Sequence, residues 1–199
     1  DALIEISVAY GEEKYILLPD SSEIRLNAGT HIKYPEKFKA GQRTVYLDGE
    51  AYFSVRKDES RPFIVQARQL SVKVLGTQFN VKAYPDDDKI ITTLTSGKVE
   101  VTTPASSPQV LKPNERLTYN TNTADIKIDE VPANEAAAWT SGQLIFTNSS
   151  LDEIILTLER RFNISINNQA EKTGTKLYTI KFLKNEGPEE IISILNDMI

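Results

Sequence analysis

The sequence predicts a mainly β protein with an α+β unit at its end. The expected architecture is an N-terminal antiparallel β-sandwich, or an irregular solenoid-like stack of strands, followed by a small βαβ repeat. Three observations predict it. Residues 1–131 are short alternating runs separated by turn clusters, the pattern of all-β domains. A glycine followed by a short alternating strand recurs at Gly49, Gly76 and Gly97. After residue 144 the period changes to strand followed by amphipathic helix, twice.

The strands follow in order. Tyr15-Ile16-Leu17-Leu18 ends at Pro19-Asp20-Ser21-Ser22, and Ile24 and Leu26 alternate up to Asn27-Ala28-Gly29. Thr30 and Ile32 share one face, with His31 on the other. Val45 and Leu47 precede Asp48-Gly49, and Ala51, Phe53 and Val55 follow it. Phe63 and Val65 come after Arg61-Pro62, and Ile90-Ile91 after Pro85-Asp86-Asp87-Asp88. The fourth glycine-like unit runs from Lys112 to Tyr119, with Asn114 at the glycine position; Asn tolerates positive φ better than most residues.

Residues 72–84, VKVLGTQFNVKAY, contain a break in phase. The apolar positions are even at Val72 and Val74 and odd at Phe79, Val81 and Ala83. An unbroken strand with this pattern would turn one half to solvent. Gly76 is therefore expected to supply positive φ at a bulge or corner, and Gly76→Val to destabilise the fold.

Residues 132–143 read as a linker and a short helical stretch through Glu135-Ala136-Ala137-Ala138-Trp139. Leu144-Ile145-Phe146 is a strand, and Ser150 with Glu153 is a capping box. Leu151, Ile154, Ile155, Leu158 and Phe162 form a helix face, and Ile164 and Ile166 alternate as a further strand. Tyr178, Ile180 and Phe182 begin a second unit, with Pro188 at a first helical position and Ile191, Ile192, Leu195 and Met198 as its apolar face. That unit's closing strand is missing. Asp1 and Ile199 read as the cut ends of a longer protein.

Composition excludes several chemistries. There is no cysteine, so disulfides, thiol catalysis and Cys-ligated zinc are ruled out. A net charge of −5 without a basic stripe argues against nucleic acid, and Arg160-Arg161 and Arg56-Lys57 read as isolated pairs. No run of about 18 apolar residues spans a bilayer. His31 is the only histidine and reads as a surface or packed residue. Asp86-Asp87-Asp88 and Glu12-Glu13 read as solvated turns, since calcium loops alternate their ligands. Gly76-Thr77-Gln78-Phe79 lacks the lysine and following helix of a phosphate loop. Asn148-Ser149-Ser150 and Asn163-Ile164-Ser165 match a glycosylation pattern short enough to arise by chance. No catalytic residue, cofactor or metal site emerges, and the chain reads as a non-enzyme.

Five ordered motifs resemble the FecR-type domain of anti-sigma regulators. They are residues 18–30 with Tyr34-Pro35, residues 46–55, residues 61–65, residues 72–81, and residues 96–101. Within them Asp20, Gly49, Glu50, Gly76, Thr77, Phe79 and Gly97 carry the structural pattern. Ser21-Ser22 departs from the usual Gly-Ser, and Asn114 from the usual Gly. Residues 144–199 resemble the C-terminal domain of Bacteroidetes members, which is similar to the small signalling domain of secretins and TonB-dependent receptors.

The resemblance implies the periplasmic part of a single-pass inner-membrane protein. It implies that the chain senses the N-terminal signalling domain of a ligand-bound TonB-dependent transporter and relays it to an extracytoplasmic-function sigma factor, held by a segment outside this chain. Docking is expected by strand addition near Tyr178, Ile180 and Phe182, unless residues beyond Ile199 cover that edge. The alternative is a carbohydrate-binding β-module, using aromatics such as Tyr46 and Tyr52.

Overall fold

The structure, a computed structural model, describes residues 2–132, 134–169 and 176–199. Ala133, within the predicted linker, lies outside the described residues. The N-terminal part is a curled, mixed sheet of thirteen strands. They are β1 (Leu3–Ser7), β2 (Lys14–Leu17), β3 (Glu23–Leu26), β4 (His31–Pro35), β5 (Arg43–Ser54), β6 (Phe63–Ala67) and β7 (Leu70–Val74). There follow β8 (Gln78–Ala83), β9 (Lys89–Ser96), β10 (Val99–Thr103), β11 (Ser106–Leu111), β12 (Glu115–Asn120) and β13 (Ile126–Glu130).

The long strand β5 organises this part. Its first half pairs with β4 and β6, and its second half with β3 and β8. The sheet thus divides into two leaves that share β5, one continuing through β7, β10 and β11 and the other through β9, β12 and β13. Their apolar faces meet: Phe53 on one leaf and Phe63 on the other lie edge to face at 6.1 Å, and Phe53 stacks on Phe79 at 4.9 Å. All three rings are fully buried, each contributing about 1.5–3 kcal/mol by removal from water.

The sheet is mixed rather than purely antiparallel because β6 runs parallel to β5. A parallel pair needs a crossover. Here the second half of β5, already on the other leaf, and the loop at 55–62 provide it.

The break in VKVLGTQFNVKAY is the passage between leaves. β7 belongs to one leaf and β8 to the other. Val72, Val74, Phe79, Val81 and Ala83 are all buried while Leu75 is exposed. The expected positive φ at Gly76 is absent. Glycine is needed there for space instead: a Cβ would stand 2.6 Å from Lys57 Cα. The expected irregularity lies just beyond, as a register shift between Gln78 and Phe79 against β9. Positive φ occurs at Gly49 (+124°), Gly97 (+92°), and at the two family departures, Ser21 (67°) and Asn114 (70°).

The C-terminal part has strands β14 (Leu144–Ser150) and β15 (Leu177–Phe182) and helices α1 (Leu151–Phe162) and α2 (Pro188–Met198). The two predicted strand–helix units are both present. β14 and β15 pair antiparallel, with Phe146 and Phe182 edge to face at 6.3 Å. Ile154, Leu158, Ile191 and Leu195 close a small core over them, separate from the core of the sheet. The predicted strand at Ile164 and Ile166 does not form. Among the described residues no strand lies alongside to complete its ladder, and Ile166 simply packs against the small core.

Candidate functional site

The segment joining the two parts contains a short 3-10 helix, Ala138–Ser141. It buries Trp139, whose indole Nε1 donates to Asn80 Oδ1 at 3.0 Å. Asn80 in turn donates to Glu50 Oε1 (3.0 Å), and Asn27 donates to Glu50 Oε2 (3.1 Å). A chain of hydrogen bonds thus runs from the linker through β8 to the middle of β5. Each link satisfies a polar group that burial would otherwise penalise.

The end of α1 forms the second contact. Arg160 is 3% exposed although it is charged. Its Nη2 donates to Asp86 Oδ1 at 2.6 Å and to Asp87 Oδ1 at 2.8 Å, and its guanidinium lies 3.6 Å from the centre of the Tyr84 ring. The Tyr84 hydroxyl donates to the Ala28 carbonyl at 2.7 Å. Burial, followed by the charge of Glu50, raises the Tyr84 phenol well above its ordinary range. For Arg160, burial alone would lower the pKa. The hydrogen bond it donates to Asp87 and the charges of Asp87 and Asp86 outweigh it and raise the value.

Two further ion pairs flank Arg160. Arg161 pairs with Glu13, and Lys89 with Glu153. Burial pushes the Glu153 carboxyl up, but Lys89 and the Ser150 backbone N–H outweigh it and hold it below its ordinary value. The Gly11 N–H donates to the Arg160 carbonyl at 2.8 Å, so the turn between β1 and β2 satisfies a carbonyl that the helix end leaves open.

The acidic turns expected to be solvated are therefore partly engaged. Asp87 and Asp86 hold Arg160, and Glu13 holds Arg161; burying an arginine requires carboxylates to pair with it. Asp88 and Glu12 remain exposed. His31 is exposed and bonded to Ser7 Oγ at 2.8 Å. Among the described residues no group of three or more His, Cys, Asp or Glu is placed to hold a metal ion.

Tyr178 and Phe182 point into the small core and Ile180 is half-buried. The opposite face of β15 presents Leu177, Thr179 and Lys181, all exposed, and Leu183 beyond it is 56% exposed. β14 occupies one edge of β15; among the described residues no strand pairs with the other. A strand added there would meet backbone N–H and C=O groups and the outward side chains, with Tyr178, Ile180 and Phe182 supporting from beneath.

Apart from Gly49, with its positive φ, and Phe79, stacked on Phe53 in the core, the structural motif residues fall into three places. Asp20 pairs with Arg43 at 2.6 Å, both nearly inaccessible. Glu50 anchors the hydrogen-bond chain to Trp139. Gly76, Thr77 and Gly97 meet at the corner between leaves: a Cβ on Gly97 would stand 2.9 Å from the Gly76 carbonyl oxygen, and Thr77 Oγ1 donates to the Lys98 carbonyl at 3.0 Å. Tyr46 is exposed and Tyr52 half-buried, on the two halves of β5 that serve different leaves, so they do not form one aromatic platform.

Sequence reading missed Arg43, Asn80, Tyr84 and Trp139 and took Arg160-Arg161 for an isolated basic pair. The available signal was complementarity: a basic pair ends one helix, and two acidic pairs sit in turns far away along the chain.

Fold and junction together define a curled β scaffold with a small α+β unit fastened to its side. The chain belongs to the FecR family: residues 4–100 match the FecR protein model, and residues 143–199 match the FecR C-terminal model. Two crystal structures of candidate anti-sigma factors from Parabacteroides distasonis, at 2.50 Å and 1.65 Å resolution, are similar to it. Each is 36% identical, with TM-scores of 0.93 and 0.90. They cover 99% and 98% of this chain, and 92% and 90% of their own. A comparison with curated proteins finds no match.

Proposed function

We propose that the chain is the periplasmic sensing part of a single-pass inner-membrane anti-sigma regulator. Residues 1–131 and 144–199 act as two domains joined by 132–143. The C-terminal domain receives the N-terminal signalling domain of a TonB-dependent transporter, and a segment outside this chain holds an extracytoplasmic-function sigma factor. The work is done by protein contact, without catalysis. Likeness to the candidate anti-sigma factors over nearly the whole chain, at 36% identity, carries this reading. No described helix is long and apolar enough to cross a membrane, so an anchor would lie outside the described residues.

The test is transcriptional. Deleting from the host gene the part that encodes residues 2–199 should uncouple one sigma factor's promoters from its inducing ligand, as read by RNA sequencing. An unchanged response of every sigma-dependent promoter would overturn the proposal.

A further inference from the structure

We propose that the last turn of α1 is a releasable clamp, with Arg160 as its pin, and that the chain changes shape by parting its two halves at this clamp. This inference stands whether or not the chain regulates a sigma factor.

Three observations point to release rather than a permanent weld. First, among the described residues no hydrophobic core crosses the junction: the large cluster stays within the sheet and the small one within the C-terminal part. Charged and hydrogen-bonded groups make much of the contact, and polar interdomain contacts allow relative motion by default. Second, the pairing is incomplete. Among the described residues Arg160 Nε is buried without a partner, a cost that water would remove on opening. Third, the carboxylates that hold Arg160 and Arg161 lie in turns, and Lys89 is the first residue of β9. Asp86 and Asp87 belong to the turn before β9, and Glu13 lies in the turn before β2. The side chains of Asp86 and Lys89 are 48% and 36% exposed, giving water a route into the clamp.

α1 links the clamp to the free edge of β15. Ile154 and Leu158 pack it into the core beneath β14 and β15, while its last turn grips the sheet through Arg160 and Arg161. A displacement of the small sheet therefore bears on the clamp.

The chain contains no cysteine, so paired spin labels can be placed cleanly at the exposed positions Thr102→Cys and Lys181→Cys. Pulsed dipolar spectroscopy of this background should give one narrow distance distribution. Asp86→Asn combined with Asp87→Asn should broaden it toward longer distances, and so should Arg160→Gln from the other side. Asp152→Asn, an exposed acid on the first turn of α1, should leave it narrow. Narrow distributions in both clamp variants, or a broad one in the parent, would overturn the inference. Circular dichroism reports folding: if one clamp variant unfolds, the other decides. Unfolding of both would also overturn it, since Arg160 would then be part of the folding core.

Discussion

Gly76 and Arg43 show how single residues set this fold. At Gly76 the neighbouring backbone is too close for any side chain, so Gly76→Val must push Lys57 away or open the corner. Overpacking of this kind costs about 1–3 kcal/mol, which for a chain of this size lowers the melting temperature by roughly 2–12 °C. Thermal denaturation followed by circular dichroism checks it, and an unchanged melting temperature would count against the steric account. Arg43 is fully buried, paired with Asp20 and bonded to the carbonyls of Arg61 (2.8 Å) and Arg56 (2.9 Å). Removing Asp20 alone, as Asp20→Ala, leaves that charge uncompensated and should cost about 3–5 kcal/mol. The double variant with Arg43→Met should lose less than the sum of the single losses in urea denaturation; simple additivity would show that the pair is not coupled. The need for glycine at 76 was legible in the phase change, but its cause was not. Phase marks a corner, whereas contact with Lys57 depends on a loop that only the folded chain brings near. Ser21 and Asn114 were legible through the opposite route, as non-glycine residues at positions where the family resemblance leads one to expect glycine.

Among the elements, α1 is both the most legible and the most informative. Its capping box and apolar stripe were readable, and Ser150 and Glu153 make the reciprocal bonds. Ser150→Ala should cost about 1 kcal/mol, seen as earlier loss of the helical signal on heating. Glu153 also makes stability depend on pH. Its carboxyl is held low in the folded state, so its contribution is present above the unfolded carboxylate range and lost as pH falls through the folded value. Glu153→Gln should flatten that part of the acid unfolding curve; an unaltered acid limb would show that the pairing with Lys89 contributes nothing. The strand expected at Ile164 and Ile166 was misread for a physical reason. Alternation reports two faces, but a strand also needs a neighbour to receive its backbone hydrogen bonds, and periodicity carries no information about neighbours.

At the scale of the whole molecule, the β-rich and α+β halves were legible because each has its own period. Their junction was not. Apolar periodicity cannot mark a buried arginine, and Arg160 lies off the stripe formed by Ile154 and Leu158. Only the opposite charges of distant segments hinted at the contact, and many such pairs on a surface never meet. With the junction known, β15, α1 and the turns of the sheet form one continuous route from an open strand edge to the β scaffold. The measurement that tests this most directly is a titration of the isotope-labelled chain, followed through its amide resonances. The N-terminal signalling domains of the host's TonB-dependent transporters would be added one at a time. The account predicts that one of them shifts the amides of residues 177–182 and, through α1, those of residues 84–89. Shifts confined to residues 2–83 and 90–130, or none with any signalling domain, would contradict it.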